Sequence, residues 1–194
     1  MRWLTLYARS RQVPASLAAL VIGAAGVWAL SRGGGGGPGD GDPRIPVLVL
    51  AMGAMAASIG LGGQDLALDR TAAIRWVPRR AAHVLLAGAV VAAVPLSVRA
   101  TGSGMGASVA LVVRDSAGLT GLAALGAALW GGQYAWTLPF AWLSVSFLTP
   151  PVTGTPTRVA AWLLLPSGTP AATWTALFLL TTGTAAYAVA GPGR

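Results

Sequence analysis

The chain has 194 residues, of which 55% are hydrophobic and only 9% charged, with a formal net charge of +8. A water-soluble domain carries about 25% charged residues, so this composition excludes a soluble globular protein and points to a membrane protein. With no cysteine and no lysine, disulfides, thiolate metal sites and a Walker A nucleotide loop, which needs Gly-Lys-Ser/Thr, are excluded as well.

The basic residues are all Arg, and Ala, Gly and Pro are abundant. That usage points to a GC-rich bacterial genome and a bacterial cell-membrane protein. The arginines sit at the ends of apolar runs, where membrane topology places them, rather than in a patch that would mark a nucleic-acid binder. No nucleic-acid partner is therefore expected.

In chain order, "MRWLTLYARSRQ" (residues 1–12) places Trp3, Leu6 and Tyr7 on one helical face and Arg2, Thr5 and Arg9 on the other. This is the pattern of an interfacial helix, with Trp3 and Tyr7 at the headgroups and Arg toward anionic lipid. The alternative, a signal peptide, fits less well. The apolar run is long, "WALSRGG" is a poor cleavage site, and further spans follow.

A spanning helix needs about 20 apolar residues. Six candidates are read, at residues 14–30, 45–62, 81–98, 116–130, 134–149 and 171–190. The fourth can extend backward through "ASVALVV", and Pro139 predicts a kink in the fifth. "SRGGGGGPGDGDPR" (31–44) is a Gly/Pro/Asp loop. "PPVTGTPTRVAAWLLLPSGTP" (150–170) frames a short apolar piece, 159–165. That piece is too short to cross a bilayer, so it is expected to lie at the interface or to re-enter the membrane.

With the N-terminus in the cytoplasm and six alternating spans, eight arginines fall inside and five outside. The positive-inside rule thus favours cytoplasmic N- and C-termini. The reading is a single all-α transmembrane domain over residues 1–194, a six-helix transmembrane bundle with an N-terminal interfacial helix.

"DLALDRTAAIRWVPRR" (65–80) concentrates Asp65, Asp69, Arg70, Arg75, Arg79 and Arg80 in an otherwise oily chain. Acid at its start and base at its end complement a helix dipole. Asp65 is placed to cap such a helix, and Pro78 to limit its far end. The expectation is a short amphipathic cytoplasmic helix between spans two and three, with Arg79 and Arg80 holding the lipid boundary. Plain positive-inside anchoring would need only those two arginines.

Other residues read more simply. Ala117, Gly121, Ala124 and Ala128 form a small-residue stripe of the kind that lets helices approach. Arg114 and Asp115 open the fourth span; a charge pair inside the membrane would mark a functional site, but the preferred reading places both at the outer interface, with Arg114 snorkelling. His83 is expected to be interfacial, and the Thr side chains of the sixth span to bond back to their own helix. Trp130, Trp136, Trp142, Trp162 and Trp174 read as an aromatic belt. Ser144 and Ser146 have no evident base, so no catalytic residue and no metal ligand is assigned.

By layout the chain resembles the type-2 ABC exporter permease family. The pieces that carry the resemblance are "RWLTLYARSR", "QDLALDRTAAIRWVPRR" and "TRVAAWLLLP". They stand where that family has an amphipathic N-terminal helix, a coupling helix between spans two and three, and short re-entrant helices before span six. The stretch "VRDSAGLTGLAALGAALWGGQYAWTLPFAW" also looks like small permease-like proteins of GC-rich bacteria. The resemblance implies a membrane subunit without cofactors of its own. A partner ABC-type ATPase would bind ATP and Mg and touch Asp65, Asp69, Arg70 and Arg75. A second permease chain, the same or related, would complete the pathway, with membrane lipid around both. The alternative function is a non-transporting scaffold or accessory subunit of a membrane complex.

Overall fold

Prolines and glycines set the limits of the helices. The computed structural model describes residues 44–62, 76–100, 107–150 and 154–193, and all of its regular structure is helical. The expected interfacial helix with Trp3 and Tyr7, the first span at 14–30, and Asp65, Asp69, Arg70 and Arg75 lie outside the described residues.

Helix α1, Arg44–Ser58, tightens into a 3₁₀ turn, Ile59–Leu61, and stops at Gly62. Helix α2, Trp76–Ala100, runs for 25 residues and starts before the expected residue 81. Pro78 lies in its first turn, where a proline's missing N–H breaks no intrahelical bond. Pro78 thus lies within the described α2, and Arg79 and Arg80 sit in its first turns. Pro95 falls inside α2 and is buried.

Helix α3, Val109–Trp130, is capped by Ser108, whose Oγ accepts from the Leu111 N–H at 3.1 Å. It ends at Gly131, whose φ of +96° is open to glycine. After a 3₁₀ turn, Gly132–Tyr134, comes α4, Thr137–Leu148, of only 12 residues. At 1.5 Å per residue it covers about 18 Å, against a hydrocarbon core of about 30 Å. The expectation of a full fifth span at 134–149 is thereby corrected. Pro139 sits in the first turn of α4, so the expected kink has no ladder bond to break.

The short α5, Thr155–Ala160, and a 3₁₀ turn, Trp162–Leu164, precede α6, Pro170–Ala190. Among the described residues, three stretches are long and apolar enough to cross a membrane: Arg44–Leu61, Trp76–Ala100 and Val109–Trp130. Helix α6 has 21 residues, similar in length, but its five Thr side chains make it less apolar.

Helix α3 is the hub, packed against α1, α2, α4 and above all α6. One apolar cluster joins Val47, Leu50, Val91, Leu119, Leu122, Trp162, Leu163 and Leu179. A second joins Leu61, Val84, Ala123, Ala127, Ala135 and Tyr187. Helices α3 and α6 run parallel and cross where Gly121 meets Gly183, so closely that a Cβ on either glycine would overlap backbone of the other helix. Of the small-residue stripe, Gly121 and Ala124 are buried, and Gly121 forms the crossing itself. By contrast α2 leaves Leu85, Leu86 and Val90 exposed, as a lipid-facing helix does.

Candidate functional site

The polar chemistry of so apolar a chain collects at the two ends of the bundle. At one end, Arg114 and Asp115 lie inside α3, well beyond its Ser108 cap. They are 7% and 0% exposed. The Arg114 Nε donates to Asp115 Oδ1 at 2.7 Å. Its two terminal nitrogens reach across to the chain segment before α6: Nη1 donates to the Pro166 carbonyl and Nη2 to the Leu165 carbonyl, each at 2.9 Å. The expectation that Arg114 snorkels to the interface is corrected. A planar guanidinium has several donors in a fixed fork, and here the fork spans one carboxylate and two successive carbonyls. A charge in a weakly polar interior is tolerated when paired and hydrogen-bonded in this way.

The segment held by Arg114 is the 154–168 stretch, which turns back into the bundle. Trp162 and Leu163 are both 0% exposed. The Trp162 ring lies over Gly118 of α3, where a Cβ would fall 3.0 Å from two of the ring carbons even at its less crowded side. Trp162 is therefore a core residue and not part of an aromatic belt. Trp130, Trp136 and Trp174 are exposed. On the other side of the segment, the Ala160 carbonyl accepts from both Trp142 Nε1 at 3.2 Å and Ser146 Oγ at 2.8 Å. Ser146 thus serves as a structural donor from α4. Near this end Arg44 lies over the Phe147 ring at 5.7 Å, and Arg99 donates to the Ala107 carbonyl.

At the opposite end three helix C-termini meet the start of α2. The carbonyls of Gly60 and Leu61, left open where the last turn of α1 finishes, are met by side chains from other helices. His83 Nε2 lies 3.1 Å from Gly60 O, and Tyr187 Oη donates to Leu61 O at 2.7 Å. Gly62 is pressed against Gly132, whose Cβ would fall 2.7 Å from the Gly62 nitrogen. The Gly193 N–H returns to the Ala127 carbonyl at 2.8 Å. Arg79 is exposed, while Arg80 is half-buried with its guanidinium beside Gly191, where φ is +74°.

Most Thr side chains of α6 act as the expected helix-internal donors, whereas the Thr184 hydroxyl is buried without a partner. Thr175, Thr181 and Thr182 bond back to the carbonyls of Ala171, Leu177 and Phe178 at 2.8, 2.9 and 2.6 Å. Among the described residues no group of three or more His, Asp or Glu is placed to hold a metal ion. Searches against family models, curated proteins and solved structures gave no match.

Of the residues singled out beforehand, Arg114 and Asp115 are brought together with Trp162, while Arg79 and Arg80 lie at the far end of the bundle. The adjacent Arg-Asp pair was visible as a signal. Its partners were not, because backbone carbonyls 51 and 52 residues away leave no mark in side-chain identity. Ser146 and Tyr187 were likewise missed as cross-helix donors.

Proposed function

We propose that the chain is the membrane-spanning permease subunit of an ABC-type transporter in a bacterial cell membrane, with cytoplasmic termini and a separate ATPase as its motor. The observation that carries this reading is the returning segment before the last helix. Its apolar turn, Trp162–Leu164, is inserted into the bundle at the position where the type-2 exporter layout calls for a re-entrant element. The orientation rests on the arginine count over the whole chain, eight inside against five outside.

In this reading ATP and Mg belong to the partner. The partner's closure pushes on residues 65–80, and the force enters the bundle through Gly62, which is pressed against Gly132, and Arg80, whose guanidinium lies beside Gly191. Because α3 and α6 touch backbone to backbone at Gly121 and Gly183, a pathway between them would have to break the tightest contact in the bundle. The pathway is therefore assigned to the face between two permease chains, which would rock against each other.

The test is reconstitution with the ATPase that co-purifies with the chain. Reversing charge at Asp69→Arg together with Arg75→Glu should leave insertion intact and uncouple ATP hydrolysis from transport. Normal coupling in that double variant would refute the contact assignment. The same tight α3–α6 packing also favours a second reading, a non-transporting scaffold subunit. A stable native complex containing other membrane proteins and no ATPase would decide for it.

A further inference from the structure

The seam between α3 and the returning segment carries more polarity than its hydrogen bonds use. Asp115 Oδ1 takes the Arg114 Nε–H, but Asp115 Oδ2, fully enclosed, has no partner. On the returning segment the Trp162 indole N–H is also buried without one, and the outer edge of the six-membered ring meets Gly118, one turn along α3 from Asp115. An acceptor on α3 and a donor on the returning segment are thus both enclosed and unpaired. Interiors rarely leave such groups unmet, and enclosed water is the usual partner where a site is polar.

The rest of the contact is unevenly shared. On the α4 side the segment is held by two neutral hydrogen bonds to one carbonyl, Ala160 O. On the α3 side it is held by a charged fork on Leu165 O and Pro166 O. Hydrogen bonds from a charged donor are the stronger kind.

We infer that residues 155–166 form a strap latched to α3 by the Arg114–Asp115 pair, and that opening the latch admits water to the seam between Asp115 and Trp162. Arg114 is the latch proper. Asp115 is a positioning residue that neutralises the guanidinium and turns its fork toward the strap. The inference concerns the chain's own mechanics and holds whether the chain transports or scaffolds, so its test stands apart from that of the permease reading.

The chain has no cysteine, so a single introduced thiol reports one position. Leu163→Cys places it on the buried side of the strap, in the first apolar cluster, and Val84→Cys places it in the other one. Leu163 and Val84 are both 0% exposed. The full chain in detergent is treated with a water-soluble maleimide. The latch is removed by the double variant R114Q/D115N, which takes out both charges together. A single Asp115→Asn would leave an uncompensated buried cation, which is strongly destabilising.

The expected result is a rise of about 10- to 100-fold in the labelling rate at position 163, the factor that corresponds to a lost charge-assisted hydrogen bond. Labelling at position 84 should not change. Ser146→Ala, which leaves Ala160 O its bond from Trp142, should give a smaller rise at 163. Three outcomes would overturn the inference. Position 163 staying protected would mean that apolar burial alone seats the strap. Equal exposure of 163 and 84 would mean that the pair holds the whole bundle. A larger effect from Ser146→Ala would move the latch to α4.

Discussion

Replacing Gly183 by alanine tests whether the α3–α6 crossing is the contact on which the bundle depends. A Cβ at 183 would overlap the Gly121 carbonyl oxygen and lie 2.7 Å from the Gly121 carbonyl carbon and 3.1 Å from its Cα. Carbon atoms pack comfortably at about 3.5–4.0 Å, so the two helices must part by roughly 1 Å at the crossing. The obstruction is backbone and cannot swing aside. Overpacking of this kind costs about 1–3 kcal/mol. The upper end applies here, because a gap of about 0.5–1 Å also forfeits a quarter to a half of the dispersion well for atoms along the seam. Alanine returns up to about 1 kcal/mol of helix propensity relative to glycine. The net expectation is a loss of about 2 kcal/mol, roughly 30-fold in the folding equilibrium. Gly168→Ala is the matched control, since no atom lies within 4 Å of a Cβ there, and its effect should stay within about 0.5 kcal/mol. Equilibrium unfolding by SDS in mixed micelles, followed by circular dichroism, measures both. The double variant Gly121→Ala with Gly183→Ala should cost less than the sum of the singles, since helices already parted have room for the second methyl. A Gly183→Ala protein that unfolds with the control would refute the reasoning.

Further outcomes are expected. Tyr187→Phe keeps the ring in place but leaves the Leu61 carbonyl without its 2.7 Å donor. In the same SDS titration it should lose about 1–3 kcal/mol, the cost of an unmet buried acceptor. Single cysteines at Arg79→Cys and Gly168→Cys should label from opposite sides of intact cells with an impermeant maleimide, position 168 from outside and position 79 only after permeabilisation. Labelling of both from one side would rule out the proposed crossing of the bundle.

The sequence by itself determined the class of environment and most helix positions, for reasons that act locally. So few charges cannot cover a wetted surface, and apolar runs of spanning length have to satisfy their backbone internally as helices. The helices at 44–61 and 170–190 follow from those runs and from the glycines and prolines at their ends, whereas the helix read at 116–130 starts seven residues earlier, at Val109, behind its Ser108 cap. Prolines were harder to read, because the same residue opens a helix at its first turn and breaks one in its interior. Pro139 proved to be an opener, which left α4 too short to span, and Pro78 lies within α2. What only the tertiary structure decided is where polarity goes inside the bundle. Arg114 could face water or protein, and its direction was settled by two carbonyls brought beside it by the return of residues 154–168. Trp162 could sit at a headgroup or in a core, and Gly118 made room for it in the core. Tyr187 finds its acceptor in Leu61, 126 residues away. Periodicity reports which face of a helix is oily, whereas a cross-helix hydrogen bond to a carbonyl depends on backbone positions that every residue type supplies alike.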